Sequence, residues 1–172
     1  MISWAAVITV LFDLQALSLD GNQLAFIYTK AFHGISGLLS LALQNNNINF
    51  LGNGTFSTLT QLTTLLLQNN QINQRIERGT FDALESLTYI DLSRNQLTSE
   101  NLPPALLRRS TKLRHVYFDD NQLETVDSCM LAAQPRHGAA RTLSLLGNPI
   151  TCDCSLMWLL RLRYYGRRDE VK

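Results

Sequence analysis

The stretch LTTLLLQNNQI, residues 62–72, alternates apolar and polar residues and then reaches two asparagines. Leu65 and Leu67 lie two positions apart, so both side chains face the same side of an extended strand. Asn70 follows at the point where the chain must turn. A buried asparagine carries both donors and an acceptor, so it can satisfy backbone groups that the turn would otherwise leave buried without partners. The stretch therefore predicts one short strand with an inward apolar face, followed by a turn.

The same pattern recurs along most of the chain. Five segments match LxxLxLxxNxL fully, and a sixth lacks only its first apolar residue; they are residues 14–24, 38–48, 62–72, 87–97, 113–123 and, incomplete, 140–150. The repeated asparagines are spaced by 24, 24, 25, 26 and 27 residues and are Asn22, Asn46, Asn70, Asn95, Asn121 and Asn148. Regular spacing of one polar residue predicts that the asparagines form a ladder along a stack of coils.

A second set of apolar residues is expected to close the core from the opposite side. Phe32, Phe56 and Phe81 each stand three residues before another apolar residue. In the fourth and fifth repeats we expect Leu106 and Leu131 to take this place, within irregular loops. No coil buries its apolar face alone, so the repeats must stack on one another to be stable.

Six repeats in register resemble the leucine-rich-repeat family. The resemblance implies an α/β leucine-rich-repeat solenoid: a right-handed superhelix with a parallel concave sheet, an irregular or 3-10 convex side and a short C-terminal cap helix. Residues 14–150 would hold the six repeats. Residues 148–162, NPITCDCSLMWLLRL, resemble the start of the cysteine-rich C-terminal cap of extracellular family members. In that family, the cysteines matching Cys152 and Cys154 pair with two others further downstream, so residues 151–172 would be an incomplete cap.

The three cysteines leave alternatives open. Cys152 and Cys154 are separated by one residue, and a bridge between them would be strained. A chain that stops inside its cap explains them most simply. A zinc or redox site is the alternative, although Cys129 and His137 lie at no recognisable ligand spacing. Cys129 itself is expected to be a plain buried thiol.

Residues 1–13 are also open to two interpretations. Their apolar run has the length of a signal peptide, but it lacks a basic n-region and a clear cleavage site. A partial preceding repeat fits better, because Ile8 and Leu11 stand to Leu14 as Phe32 and Ile35 stand to Leu38.

Binding residues are expected among the outward strand positions, because the alternate inward positions are committed to the core. Aromatic and charged residues cluster at these positions in the fourth and fifth repeats, with Arg94 at the adjoining turn; the full set is Tyr89, Asp91, Arg94, His115, Tyr117 and Asp119. Such residues on a rigid sheet are typical of binding hot spots. The alternative is an ordinary solvated sheet face with cross-strand pairs.

Composition and motifs narrow the function classes. A net charge of +1, from 15 basic and 14 acidic residues, argues against nucleic acid as a partner. No apolar stretch has the length of a membrane span, so any membrane attachment would come from segments outside this chain. No nucleophile elbow, phosphate loop or metal motif occurs, so we expect no enzyme activity, cofactor or metal. One sequon, NGT, makes Asn53 a candidate glycosylation site.

Together these features predict an extracellular protein-recognition module that binds a protein ligand on its concave face. By resemblance it would belong to a receptor ectodomain or a secreted protein, since Toll-like receptors, adhesion receptors and matrix proteins share this cap. An intracellular scaffold and a nonfunctional gene fragment remain the alternatives.

Overall fold

The alternating leucine pattern forms six strands, each three residues long. In the computed structural model, which describes residues 13–127, 130 and 142–151, the strands are β1 Ala16–Ser18, β2 Ser40–Ala42, β3 Thr64–Leu66, β4 Tyr89–Asp91, β5 His115–Tyr117 and β6 Thr142–Ser144. Each strand is this short because the chain turns three residues after its last inward leucine.

The strands form one parallel sheet in chain order, β1-β2-β3-β4-β5-β6. Equivalent repeat positions pair directly, as in Leu41 with Leu65 and Ile90 with Val116. The result is a solenoid of about five turns, so the predicted leucine-rich-repeat fold is confirmed. The connections in the described ranges are turns and irregular segments without an α-helix. The predicted cap helix and the three cysteines lie outside the described residues.

The core runs along the axis of the solenoid between the sheet and the convex turns. The inward strand leucines of the internal coils, such as Leu41 and Leu65, are fully buried. On the convex side the rings of Phe32 and Phe56 stack with centroids 6.0 Å apart, and those of Phe56 and Phe81 with centroids 5.8 Å apart. The stack ties three successive coils together through apolar contact alone.

The prediction for the fourth repeat was wrong by one residue. Leu107, rather than Leu106, follows Phe81 in the stack. The amide of Ser110 donates to the carbonyl of Leu107 (3.1 Å), as the amide of Leu84 donates to the carbonyl of Phe81 (3.0 Å). The correct position is found by counting back six residues from the first leucine of the next repeat, as from Leu87 to Phe81 and from Leu113 to Leu107, because that distance is fixed by the turn. Leu131, expected in the fifth repeat, lies outside the described residues.

The repeated asparagines line one side of the core and bridge neighbouring coils. Asn95 Nδ2 donates to the carbonyls of Leu67 and Leu92 (3.0 Å each), and its Oδ1 accepts from the amide of Ile72 (3.1 Å). Asn46, Asn70, Asn121 and Asn148 repeat this arrangement one coil apart. Asn22 differs, because its side chain is exposed and, among residues 13–127, donates only within its own turn, to the carbonyls of Leu19 and Asp20.

Two turn positions adopt the left-handed backbone conformation in coil after coil. The residue before the ladder asparagine has φ between 53° and 69° in all six repeats; these residues are Gly21, Asn45, Asn69, Arg94, Asp120 and Gly147. The second position lies two residues before the convex aromatic or its replacement, at Lys30, Gly54, Gly79 and Ala105. Glycine and asparagine suit this conformation, whereas Lys30, Arg94 and Ala105 adopt it with a steric penalty.

Candidate functional site

The parallel register sorts the outward side chains of the sheet into three rows, which together we call the concave face. The first row is Ala16, Ser40, Thr64, Tyr89, His115 and Thr142. The second is Ser18, Ala42, Leu66, Asp91, Tyr117 and Ser144. The third continues each strand by two residues and is Asp20, Gln44, Gln68, Ser93, Asp119 and Leu146. In the first two rows the side chains from β1 to β3 are small except for Leu66, whereas β4 and β5 carry aromatic and acidic ones.

The aromatic residues of β4 and β5 form one contact group, the aromatic cluster of Tyr89, His115 and Tyr117. The Tyr89 ring lies 6.0 Å from the His115 ring and 5.4 Å from the Tyr117 ring, at tilts of 41° and 40°. These separations fall within the range of favourable aromatic pairs. His115 Nδ1 lies 3.2 Å from Thr142 Oγ1 on the next strand, which fixes the imidazole from its other side. The cluster is half-buried, so each ring keeps part of its surface open to a partner.

Two carboxylates flank the aromatic cluster and are held by backbone amides. Asp91 Oδ1 accepts from the amide of Ser93 (2.9 Å), and Asp119 Oδ1 accepts from the amide of Leu146 (2.9 Å). Each bond uses one oxygen, and the structure shows no hydrogen bond to either Oδ2 within the described residues. Because a carboxylate accepts several hydrogen bonds, both side chains are positioned in advance and keep acceptor capacity.

The concave face is acidic, although the whole chain is nearly neutral. Its three rows contain Asp20, Asp91 and Asp119 and no lysine or arginine, whereas the chain carries a net charge of +1. The basic residues of the described coils lie outside these rows; among them are Arg94 on a turn, Arg114 directly before β5, and Arg108 and Arg109 on the convex side, where both approach Asp82 (3.8 Å each). The three rows thus carry only acidic formal charges, whereas the convex side carries charges of both signs.

The surroundings of Tyr89 change its acidity. Partial burial raises the pKa of the phenol above its ordinary value of 10.0, and the nearby Asp91 and Tyr117 raise it further. Both causes disfavour the phenolate. Tyr89 is therefore a neutral hydrogen-bonding residue at physiological pH.

Arg94 lies at the edge of the sheet, on the turn after β4, and its side chain is 71% exposed. Its Nε lies 3.4 Å from Asp120 Oδ2 on the next turn. The same turn position carries Asn45 and Asn69, which are linked by a hydrogen bond of 2.6 Å. Of the six residues predicted from the sequence, the structure thus brings five together on the concave face and places Arg94 on the rim.

Two further features were missed from the sequence. Thr142 supports the His115 ring, and only the pairing of β5 with β6 reveals this. A shallow cleft on the flank is lined by Phe50, Asn53, Arg75 and Arg78 among others. The cleft coincides with the one-residue lengthening of the third coil, so the change in asparagine spacing from 24 to 25 was the available signal.

Family models agree with this geometry. A model described as "Leucine rich repeat" matches residues 13–72, and a second, "Leucine Rich Repeat", matches residues 86–108. The chain is a leucine-rich-repeat protein. Domains of this family are typically non-enzymatic modules for protein–protein interaction.

Individual relatives share the repeat but not the whole length. This leucine-rich-repeat chain is 38% identical over 52 residues to human "Matrix-remodeling-associated protein 5", a match that spans 30% of the chain and 2% of the relative. The crystal structure of the leucine-rich repeat domain of APL1B has the same fold, with a TM-score of 0.63 and 24% identity. That similarity covers 76% of this chain and 39% of the APL1B chain.

The repeat protein shows neither a membrane helix nor a metal cluster where its structure is described. In residues 13–127, 130 and 142–151, no helix is long and apolar enough to cross a bilayer. Across the same ranges, no three His, Cys, Asp or Glu side chains converge as metal ligands. What the concave face offers is noncovalent contact: half-buried rings, positioned carboxylates and a rigid sheet beneath them.

Proposed function

We propose that the concave face recognises a protein ligand, with the aromatic cluster and its two flanking carboxylates at the centre of the contact. The observation that best supports this proposal is the mutual packing of Tyr89, His115 and Tyr117 beside Asp91 on paired strands. Tyrosine presents a large contact area with few rotatable bonds, and packing against neighbours lowers the entropy lost on binding. Hydrogen bonds from backbone amides likewise lower the entropy that the Asp91 and Asp119 carboxylates lose on binding.

Binding of a selected ligand would test this function. We would probe the full chain with an array of secreted and cell-surface proteins and measure the affinity of each binder for the wild-type protein and for variants. Tyr89→Ala and Tyr117→Ala should weaken binding at least about tenfold, as expected of hot-spot residues. Thr64→Ala, at the first-row position of β3, is the matched control and should leave affinity within about twofold. Binders that tolerate both tyrosine variants would refute the assignment.

We also propose that the protein works outside the cell, as a secreted protein or as part of a receptor ectodomain. The C-D-C segment at Cys152 and Cys154 supports this through its resemblance to extracellular caps, and so does the name of the matrix-remodelling relative. Asn53 is exposed and precedes the buried Thr55, whose hydroxyl donates to the carbonyl of Gly52 (2.8 Å). A glycan on Asn53 would project from the flank, away from the concave face.

Expression through the secretory pathway of mammalian cells tests this location. We expect a glycosidase-sensitive mass increase that disappears in Asn53→Gln. An unmodified Asn53 in exported protein would remove the glycan as support, and an intracellular scaffold would then account for the repeats equally well.

A further inference from the structure

The concave face combines three properties that favour one kind of partner group. Its formal charge is −3, its three rows carry no lysine or arginine, and its carboxylates flank partly open tyrosine rings. We propose that the aromatic cluster and Asp91 and Asp119 bind cationic side chains, arginine or lysine, of an extended segment of the partner. This proposal rests on the proposed function and specifies the chemistry of the ligand.

The rings supply the first part of the argument. A cation is attracted to the face of a tyrosine ring when it lies within about 6 Å of the centroid. The rings of Tyr89 and Tyr117 are 5.4 Å apart and tilted by 40°, so a single cation near both faces lies within range of two rings. Tyr89 is neutral at physiological pH, and its raised pKa makes the phenolate less favourable still.

The carboxylates supply the second part. Asp91 pairs with Tyr117 in the sheet register, which puts a carboxylate beside the ring, and Asp119 lies two residues beyond the end of β5. Each has one oxygen held by a backbone amide and the other without a hydrogen bond within the described residues. An arginine carries five N–H donors and no acceptor, so it matches such a set of acceptors.

The negative charge of the concave face disfavours acidic and neutral apolar ligands. An acidic segment would meet like charges across the concave face, and such juxtaposition costs several kcal/mol at an interface. A neutral apolar segment would leave the carboxylates to be desolvated without partners. A basic segment avoids both penalties and meets Asp91 and Asp119 with opposite charge.

The test is a selection of random peptides on the immobilised full chain at physiological ionic strength, followed by affinity measurements on synthetic copies. We expect the selected peptides to be enriched in arginine and lysine. Replacing each arginine by citrulline, which keeps the shape and removes the charge, should weaken binding at least about tenfold.

Protein variants locate the effect. Asp91→Asn with Asp119→Asn should weaken the same peptides at least about tenfold, because each asparagine keeps the Oδ1 acceptor for its backbone amide and loses only the charge. Asp20→Asn is the matched control. It removes an equal charge from the same face at β1, where Asp20 Oδ1 accepts from Asn45 Nδ2 (2.7 Å), and should change affinity by less than about twofold.

The outcomes separate this inference from the proposed function. One outcome would overturn only the inference of a cationic partner. In that outcome the selected peptides are neutral or acidic, bind the Tyr117→Ala variant more weakly, and bind the Asp91→Asn, Asp119→Asn variant as tightly as the wild-type protein. Peptides that tolerate Tyr89→Ala and Tyr117→Ala, or a selection that yields no binder, would overturn both proposals.

Discussion

Removing one ladder asparagine should destabilise the solenoid by an amount that depends on its place in the stack. In Asn95→Ala, the amide of Ile72 loses its acceptor, and the carbonyls of Leu67 and Leu92 each lose one of two asparagine donors but keep the other, Asn70 or Asn121. One buried amide left unpaired costs about 1–3 kcal/mol and each of the two other lost hydrogen bonds about 0.5–1.5 kcal/mol, so we expect a loss of roughly 2–6 kcal/mol in the free energy of unfolding. That is a large part of the stability of a typical domain.

Two other asparagines provide matched controls because the residue type and repeat position are identical. Asn22 is exposed and makes no bond to another coil within the described residues, so Asn22→Ala should cost less than about 1 kcal/mol. Asn148 bridges to Phe118 and Leu123 but is only half-buried, so its substitution should give an intermediate loss.

Urea unfolding followed by circular dichroism would measure the series. The expected order of destabilisation is Asn95 greatest, Asn148 intermediate and Asn22 least. If Asn95→Ala is too unstable to purify, Asn148→Ala against Asn22→Ala still tests the order. Equal losses at all three positions would show that the bridging bonds are not the source of the stability.

Other perturbations address the turns, the convex stack and the aromatic cluster. Ala105→Gly should stabilise the fold by up to about 1 kcal/mol, because φ is 59° there and the left-handed penalty exceeds the entropic cost of glycine. Gly79→Ala should destabilise it, since φ is 84° and the new Cβ would lie 3.0 Å from Asn53 Oδ1; thermal unfolding of both variants checks the signs. Phe56→Ala should cost about 3–5 kcal/mol and Phe56→Leu clearly less, as measured by urea unfolding, because leucine fills this position in the fourth coil. Ultraviolet titration should show that Asp91→Asn lowers the pKa of Tyr89. Because the folded-state pKa of Tyr89 is raised, the contribution of this residue to stability is present below pH 10.0 and is lost as pH rises through the folded-state pKa.

The agreement between sequence and structure is best where one coil repeats another. The strand positions followed from the leucine alternation, because a two-residue period fixes which side chains face inward whatever the neighbouring coil contains. The fourth convex position was misplaced by one residue, since Leu106 and Leu107 are both apolar and only the hydrogen bonds of the turn distinguish them. The left-handed conformations of Arg94 and Ala105 were also missed, because neither residue signals such a backbone.

The sequence by itself determined the repeat, its inward face and the regular spacing of the asparagines, because these are properties of a local period. Only the tertiary structure decided which outward side chains touch. The contact of Tyr89 with Tyr117 and the support of His115 by Thr142 join residues 27 or 28 positions apart, and both depend on the exact alignment of neighbouring strands. A coil lengthened by one or two residues absorbs the difference in its convex turn and leaves the strand register intact, so coil length alone does not reveal that alignment.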